Sequence, residues 1–114
     1  MSVTPLADRL VKVTLQGRLD SAGVDRVEVR FLAHLIPDGN SAVVDLSEVD
    51  FVASMGIRML VSAARGLYPR QAKLALYGAQ PSVLQVLEAV SLRQVMSVCT
   101  TEAEARSAIA TPVD

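Results

Sequence analysis

The 114 residues of this chain suffice for one domain with a single hydrophobic core and are too few for two ordinary domains. Hydrophobic residues make up 51% and charged residues 20%, which excludes an intrinsically disordered chain. Eleven basic residues oppose twelve acidic ones and neither sign forms a run, so we expect no nucleic-acid binding.

The first half of the chain shows a strand pattern, a helix pattern and a second strand pattern. Residues Arg9–Gln16 alternate apolar and polar side chains and predict a half-buried strand that Gly17 ends. The apolar spacing over Val24–Ile36 is that of one helix face, and Pro37–Asn40 close this helix. The apolar run Ser41–Ser47 then predicts a strand that is covered on both faces.

The second half continues the alternation. Apolar side chains between Ile57 and Ala64 recur at helical spacing, and Gly66 and Pro69 mark the end of that helix. The later predicted elements are a strand at Lys73–Tyr77, a helix beginning at Pro81, a strand at Val95–Val98, and a helix from about Glu102 to Ile109 with a Thr101/Glu104 capping box and Thr111-Pro112 after it.

Strands separated by helices indicate parallel strands joined by crossovers. The sequence therefore predicts an α/β domain over residues 1–114, with a core at about 9–110 and a mostly parallel sheet with helices packed against it. Residues 1–7 fit either a frayed edge strand or a disordered segment.

No catalytic, cofactor or metal site is predicted. The single histidine, His34, lies within a predicted helix, and the sequence contains none of the common nucleotide-binding, hydrolase or metalloprotease motifs. Asp45, Glu48 and Asp50 cluster near a strand end without the fixed spacing of metal ligands. Cys99 stands alone, and no segment has the pattern of a signal peptide or a membrane span, so we expect a cytoplasmic protein without membrane insertion.

The segment Ala53–Gly56 places a small hydroxyl residue where a strand passes into a helix. Ser54 fits a helix N-cap, since a hydroxyl there accepts a bond from an unpaired backbone N–H. The same position also suits a phosphate, because the helix dipole and free N–H groups favour negative charge. The two interpretations are compatible.

The segments VVDLSEVDFVASMGIRML, KLALYGAQPSVLQVLEAV and TEAEARSAI, with VTLQGRLDSAG upstream, resemble the STAS domain of anti-sigma factor antagonists over about residues 9–110. The resemblance implies a four- or five-stranded sheet with helices on one side. It also implies binding to an anti-sigma factor that is a serine kinase, released when a serine before a glycine is phosphorylated.

This chain departs from the family pattern in the turn. By the resemblance, Ala53 stands at the family's Asp, Ser54 at its first Ser, Met55 at the phosphorylated Ser and Gly56 at the Gly. Methionine has no hydroxyl, so the usual switch is absent at Met55 or has moved to Ser54. A second departure is Val90-Ser91, where the family has a glycine turn.

Three functions fit the sequence. The first is a binding protein for an anti-sigma factor or related kinase-fold protein, with contacts at Phe51, Ala53, Ser54, Met55, Gly56 and Arg58. The second is an unphosphorylated accessory subunit of an ATPase complex such as a lipid transporter. The third and weakest is an enzyme or small-molecule sensor. A homodimer is compatible with all three.

Overall fold

The computed structural model describes residues 1–110, which form a five-stranded β-sheet and four α-helices. The strands are β1 (Ser2–Ala7), β2 (Leu10–Leu19), β3 (Ser41–Val52), β4 (Leu74–Tyr77) and β5 (Ser97–Cys99). The helices are α1 (Ser21–Leu35), α2 (Ser54–Leu67), α3 (Pro81–Ala89) and α4 (Glu102–Ala110), and 3-10 turns cover Tyr68–Arg70 and Leu92–Gln94.

The strands lie in the sheet in chain order, from β1 at one edge to β5 at the other. Strands β2 to β5 are parallel, and β1 pairs with β2 in the antiparallel direction. The predicted mostly parallel α/β sheet is therefore confirmed. Of the two alternatives for the N-terminal segment, the edge strand is correct.

Neighbouring residues of the central strands face two separate cores. Val44 and Leu76 belong to the main core, which α1, α2 and α3 cover. Val43 and Tyr77 belong to a smaller cluster with Ala105 of α4. Because side chains alternate between the faces of a strand, α4 covers the opposite face of the sheet. The expectation that the helices lie on one side is wrong for α4.

Strands β2 and β3 extend beyond their predicted ends. They pair as far as Leu19 and Val52, across two register shifts. Gly17 has a φ of +76°, which glycine adopts without strain, so it allows β2 to pass through an irregularity rather than to end there. Leu46, Val49 and Val52 are all buried and follow one another at intervals of three residues. A regular strand turns every second residue to the same face, so this spacing indicates an irregular strand.

The connection from α3 to β5 also differs from the prediction. Strand β5 begins at Ser97, two residues after the predicted Val95, because a 3-10 turn precedes it. Ser91, which stands in the family's glycine turn, has a φ of 55° in the left-handed region. This conformation explains a preference for glycine at this point.

Helix α4 is held to the sheet by its first turn. The Thr101 half of the predicted capping box is confirmed, since the Glu104 N–H donates to Thr101 Oγ1 at 3.2 Å, and the Glu104 carboxylate accepts a bond from the Thr101 hydroxyl at 3.2 Å. The Glu102 carboxylate accepts bonds from Lys12 Nζ at 2.9 Å and from the Tyr77 hydroxyl at 3.1 Å. The predicted helix end at Thr111-Pro112 lies outside the described residues. Among residues 1–110, no helix has the length and apolar character that crossing a membrane requires.

Candidate functional site

The turn from Ala53 to Gly56 lies at the carboxyl edge of the parallel strands, where β3 passes into α2. Ala53 is the N-cap residue, with φ −102° and ψ 177°, and no side chain caps this helix. Ser54 occupies the first helical position and is exposed. The prediction that the Ser54 hydroxyl caps the helix is therefore wrong, because the cap position falls one residue earlier on a side chain without an acceptor.

Helix α1 begins with a nearly identical turn that does have a cap. Residues 20–23 read Asp-Ser-Ala-Gly, against Ala-Ser-Met-Gly for residues 53–56. Asp20 has φ −98° and ψ −172°, and its Oδ1 accepts a bond from the Gly23 N–H at 2.9 Å. That bond is the main cause of the lowered pKa of the Asp20 carboxyl group. The α2 turn thus has the same backbone shape without the carboxylate.

Gly56 is buried and fixes how closely α2 approaches the sheet. A Cβ atom at this position would lie 2.8 Å from Leu19 O and 2.9 Å from Leu19 Cβ. Val52 Cγ1 would lie 3.3 Å away. Gly56 therefore has a packing role, and its contact with a partner stays a prediction.

Of the other five predicted contact residues, Ala53, Ser54 and Arg58 line one groove, Met55 contacts Arg58, and Phe51 precedes them at the end of β3. Phe51, Ser54 and Arg58 are exposed, whereas Ala53 and Met55 are half-buried. The Met55 side chain also packs against the main core, and Arg58 Nη1 donates to Met55 Sδ at 3.8 Å. An aromatic ring, a hydroxyl and a guanidinium are thus presented together around the start of α2. Such groups are typical of binding surfaces and do not by themselves form a catalytic centre.

A shallow groove borders this surface on its α3 side. It has a volume of about 460 Å³, and apolar side chains of Val52, Ile57, Val86 and Val90 dominate its lining. Val90 is 48% exposed, and Phe51 is 39% exposed. We define the docking face as the exposed or half-buried residues Phe51, Ala53, Ser54, Met55 and Arg58 together with the groove wall at Val86 and Val90.

The structure adds three residues to the site that the sequence did not indicate. Arg18 of β2 pairs with Phe51 of β3 in the sheet, and its guanidinium carbon lies 4.2 Å from the centre of the Phe51 ring. Val86 and Val90 reach the groove from α3. No pattern in the neighbouring sequence indicates these three residues, because their places in the site depend on the packing of elements that are distant along the chain.

The acidic residues that cluster in the sequence do not form a site. Glu48 and Asp50 lie within β3 and not beyond its predicted end at Ser47, because β3 continues to Val52. Asp45 Oδ1 accepts a bond from the Ser47 N–H at 2.9 Å. Within the described part of the chain, no three His, Cys, Asp or Glu side chains converge as metal ligands would. His34 is exposed in the last turn of α1.

A cavity larger than the groove of the docking face lies away from that face. Its volume is about 810 Å³, and it is bordered by Tyr68, Lys73, Val95 and Cys99 near the amino ends of β4 and β5. Burial raises the pKa of the Cys99 thiol, so at neutral pH the thiol is protonated and a poor nucleophile. We give more weight to the docking face than to this larger cavity, because the cavity brings together no groups with an evident chemical task.

The sequence matches the STAS domain family over residues 2–105. The chain is 27% identical over 104 residues to BtrV of Bordetella bronchiseptica, a provisionally named anti-sigma factor antagonist, and the match covers 91% of this chain and 90% of that protein. It is 23% identical over 94 residues to an anti-sigma-B factor antagonist of Listeria monocytogenes, with 82% of each chain covered.

The fold is also similar to that of a solved protein. The structure of the anti-sigma factor antagonist SpoIIAA in its unphosphorylated form superposes with a TM-score of 0.79. The match covers 99% of this chain and 98% of SpoIIAA, at 19% sequence identity. At that identity the similarity establishes the fold alone, and the role of the turn depends on the geometry described above.

Proposed function

Because this chain belongs to the STAS domain family, we propose that it is an anti-sigma factor antagonist that binds an anti-sigma factor, or a related kinase-fold protein, through the docking face. The observation that carries the proposal is the exposure of two large apolar side chains, Phe51 three residues before α2 and Val90 in the groove that Ser54 and Arg58 also line. A few exposed aromatic and aliphatic side chains around a shallow groove commonly supply most of the affinity of a protein interface.

The proposed activity is binding without catalysis, in the cytoplasm. The docking face offers one hydroxyl, a thioether and a guanidinium, and no side chain near Ser54 acts as its general base in the hydrogen bonds of the described residues. The family comprises regulatory domains, and the similar proteins named above are antagonists of anti-sigma factors. These points support regulation by contact.

We further propose that phosphorylation does not release this protein in the usual way. By the family resemblance, Met55 stands at the phosphorylated position and has no oxygen to accept a phosphoryl group. Ser54 carries the single hydroxyl of the turn and is exposed, so it is the one position in residues 53–56 where a kinase could act. A phosphate there would lie at the first position of α2, where the helix dipole stabilises negative charge.

Binding to purified anti-sigma factors and kinase-fold proteins from the native cell tests the proposal. We expect a complex by isothermal titration calorimetry, and a loss of about tenfold or more in affinity for Phe51→Ala or Val90→Ala. Tyr68→Ala and Val29→Ala are matched controls, because these side chains are 74% and 79% exposed outside the docking face. Equal losses of affinity in the control variants would reject the docking face. The absence of a complex with any such partner would reject the proposed function.

Adding ATP to the complex tests the absence of the switch. We expect the wild-type complex to persist, with no phosphate at position 55 by mass spectrometry. The double variant Ala53→Asp/Met55→Ser restores the family's turn and should accept phosphate and dissociate. Phosphate on wild-type Ser54, lost in Ser54→Ala and accompanied by release, would show that the switch has moved by one residue.

A further inference from the structure

A second groove lies between the carboxyl end of β2 and the first two turns of α1. Its volume is about 510 Å³, which is within the range of ordinary ligand sites. Two glycines, Gly17 and Gly23, are among its lining residues. A Cβ atom on Gly17 would meet nothing within 4 Å, and a Cβ atom on Gly23 would lie 1.9 Å from Arg18 O, so α1 approaches β2 without an intervening side chain.

The groove is rich in positive charge. Arg18, Arg26 and Arg30 border it, and Asp20 is its single acidic residue. Both Asp20 oxygens are already engaged, since Oδ1 accepts from the Gly23 N–H at 2.9 Å and Oδ2 accepts from Arg18 Nε at 3.3 Å. Within residues 1–110, no carboxylate lies within ion-pair distance of Arg26 or Arg30. We name this site the arginine groove.

The acidic residues of α1 do not neutralise the arginine groove. At about 100° per residue, Arg26 and Arg30 lie within about 40° of each other on the helix surface. Asp25 lies about 100° from Arg26 on the flank away from Arg30. Neither Asp25 nor Glu28 borders the groove. The two guanidinium groups from α1 therefore face a concave surface without an acidic partner on it.

The arginine groove continues directly into the docking face. Arg18 borders the groove, and its guanidinium lies 4.2 Å from the centre of the Phe51 ring. We propose that the arginine groove binds an acidic segment, rich in Asp or Glu, of the protein that occupies the docking face. This inference rests on the proposed function for the existence of such a protein. Guanidinium groups suit the ligand because their planar donors pair with carboxylates in a bidentate manner.

Charge reversal tests the proposal in the complex. Arg26→Glu/Arg30→Glu should lower affinity for the partner by about tenfold or more, and the wild-type affinity should fall as salt rises. The control Arg65→Glu/Arg70→Glu makes the same change in net charge on two exposed residues, one in the last turn of α2 and one in the 3-10 turn that follows it. Circular dichroism establishes folding, and Arg26→Gln/Arg30→Gln replaces the reversal variant if that variant unfolds.

A peptide assay separates this inference from the proposed function. The probe is a fluorescent peptide of alternating Glu and Ser, and its Gln counterpart is the control peptide. We expect salt-dependent binding of the Glu peptide to the wild-type chain, reduced about tenfold or more by Arg26→Glu/Arg30→Glu and unchanged by Arg65→Glu/Arg70→Glu.

Each outcome of these assays has one meaning. If a partner binds the docking face and the Arg26→Glu/Arg30→Glu affinity equals that of wild type, the arginine groove is not part of the interface and the proposed function stands. If no partner binds, the proposed function fails. The acidic-segment proposal is overturned if the Glu and Gln peptides bind equally or if the Glu peptide does not bind. It is also overturned if inorganic phosphate binds to the groove in place of the Glu peptide.

Discussion

Replacing Ala53 by Asp should stabilise the protein, because it supplies the cap that α2 lacks. The backbone at Ala53 differs from that of the capped Asp20 by 4° in φ and, through ±180°, by about 11° in ψ. An aspartate at position 53 can therefore accept a bond from the Gly56 N–H, which in this structure donates to Ala53 O at 2.9 Å. We expect a gain of about 1 kcal/mol in the free energy of unfolding, which is about 5 °C in the melting temperature.

Two further variants separate the parts of this effect. Ala53→Asn supplies the hydrogen bond without the charge, and Ala33→Asp adds the same charge near the carboxyl end of α1, where the dipole disfavours it. We expect urea unfolding at about pH 7 to show a gain for Ala53→Asp, a smaller gain for Ala53→Asn and a loss for Ala33→Asp.

The pH dependence provides a second check on the cap. A capping carboxylate has a folded pKa below its unfolded value, so its contribution is present above the unfolded pKa and is lost as the pH falls through the folded pKa. The gain of Ala53→Asp should therefore be constant above about pH 5 and fall as the pH is lowered below that value, while that of Ala53→Asn persists. Destabilisation by both Ala53 variants at neutral pH would refute the comparison with Asp20.

Three other substitutions test separate parts of the structure. Gly56→Ala should destabilise the protein by about 1–3 kcal/mol in urea unfolding, since its Cβ would meet Leu19; the small gain expected of alanine in an open helix would contradict that packing. Ser91→Gly should raise the free energy of unfolding by about 0.5 kcal/mol by relieving the left-handed backbone, and a loss would contradict the φ of 55°. Glu102→Gln should flatten the acid side of the stability profile. The pKa of the Glu102 carboxyl is lowered chiefly by the hydrogen bond from Lys12. The stability that this carboxylate contributes is therefore present above its unfolded pKa and is lost as the pH falls through its folded pKa. An equal acid loss in wild type and Glu102→Gln would exclude this role.

The sequence predicted the regular parts of the fold and missed the irregular ones. Periodicity identified the strand around Val13 and the helix around Phe31, because a regular element with one buried face repeats its apolar residues at a fixed interval. The apolar pattern predicted that β3 ends near Ser47, because the bulges place the buried residues Leu46, Val49 and Val52 three positions apart. A bulge changes which residues face the core without changing composition, so a pattern of period two cannot detect it.

The site could be predicted only where it is local. The turn and its helix follow one another along the chain, so Phe51, Ser54, Met55 and Arg58 could be predicted as one set, and all four are exposed or half-buried. Arg18 was missed, because its contact with Phe51 depends on the pairing of β2 with β3 across 33 positions of sequence. The N-cap was placed one residue late, since both Ser54 and Ala53 can precede a helix and only the backbone geometry decides between them.

The shape of the turn and its chemistry depend on different residues. Gly56 packs against Leu19 and Val52, and this buried contact holds α2 at the sheet edge whichever side chains stand at positions 53 and 55. Ala53 and Met55 are the positions where, by the family resemblance, a carboxylate and a hydroxyl are missing. By that resemblance the missing hydroxyl removes a phosphate acceptor, whereas the packing of Gly56 involves neither of these side chains. A turn of this kind can therefore keep a binding surface while losing the means to switch it off, and the double variant Ala53→Asp/Met55→Ser should restore the switch without changing the fold.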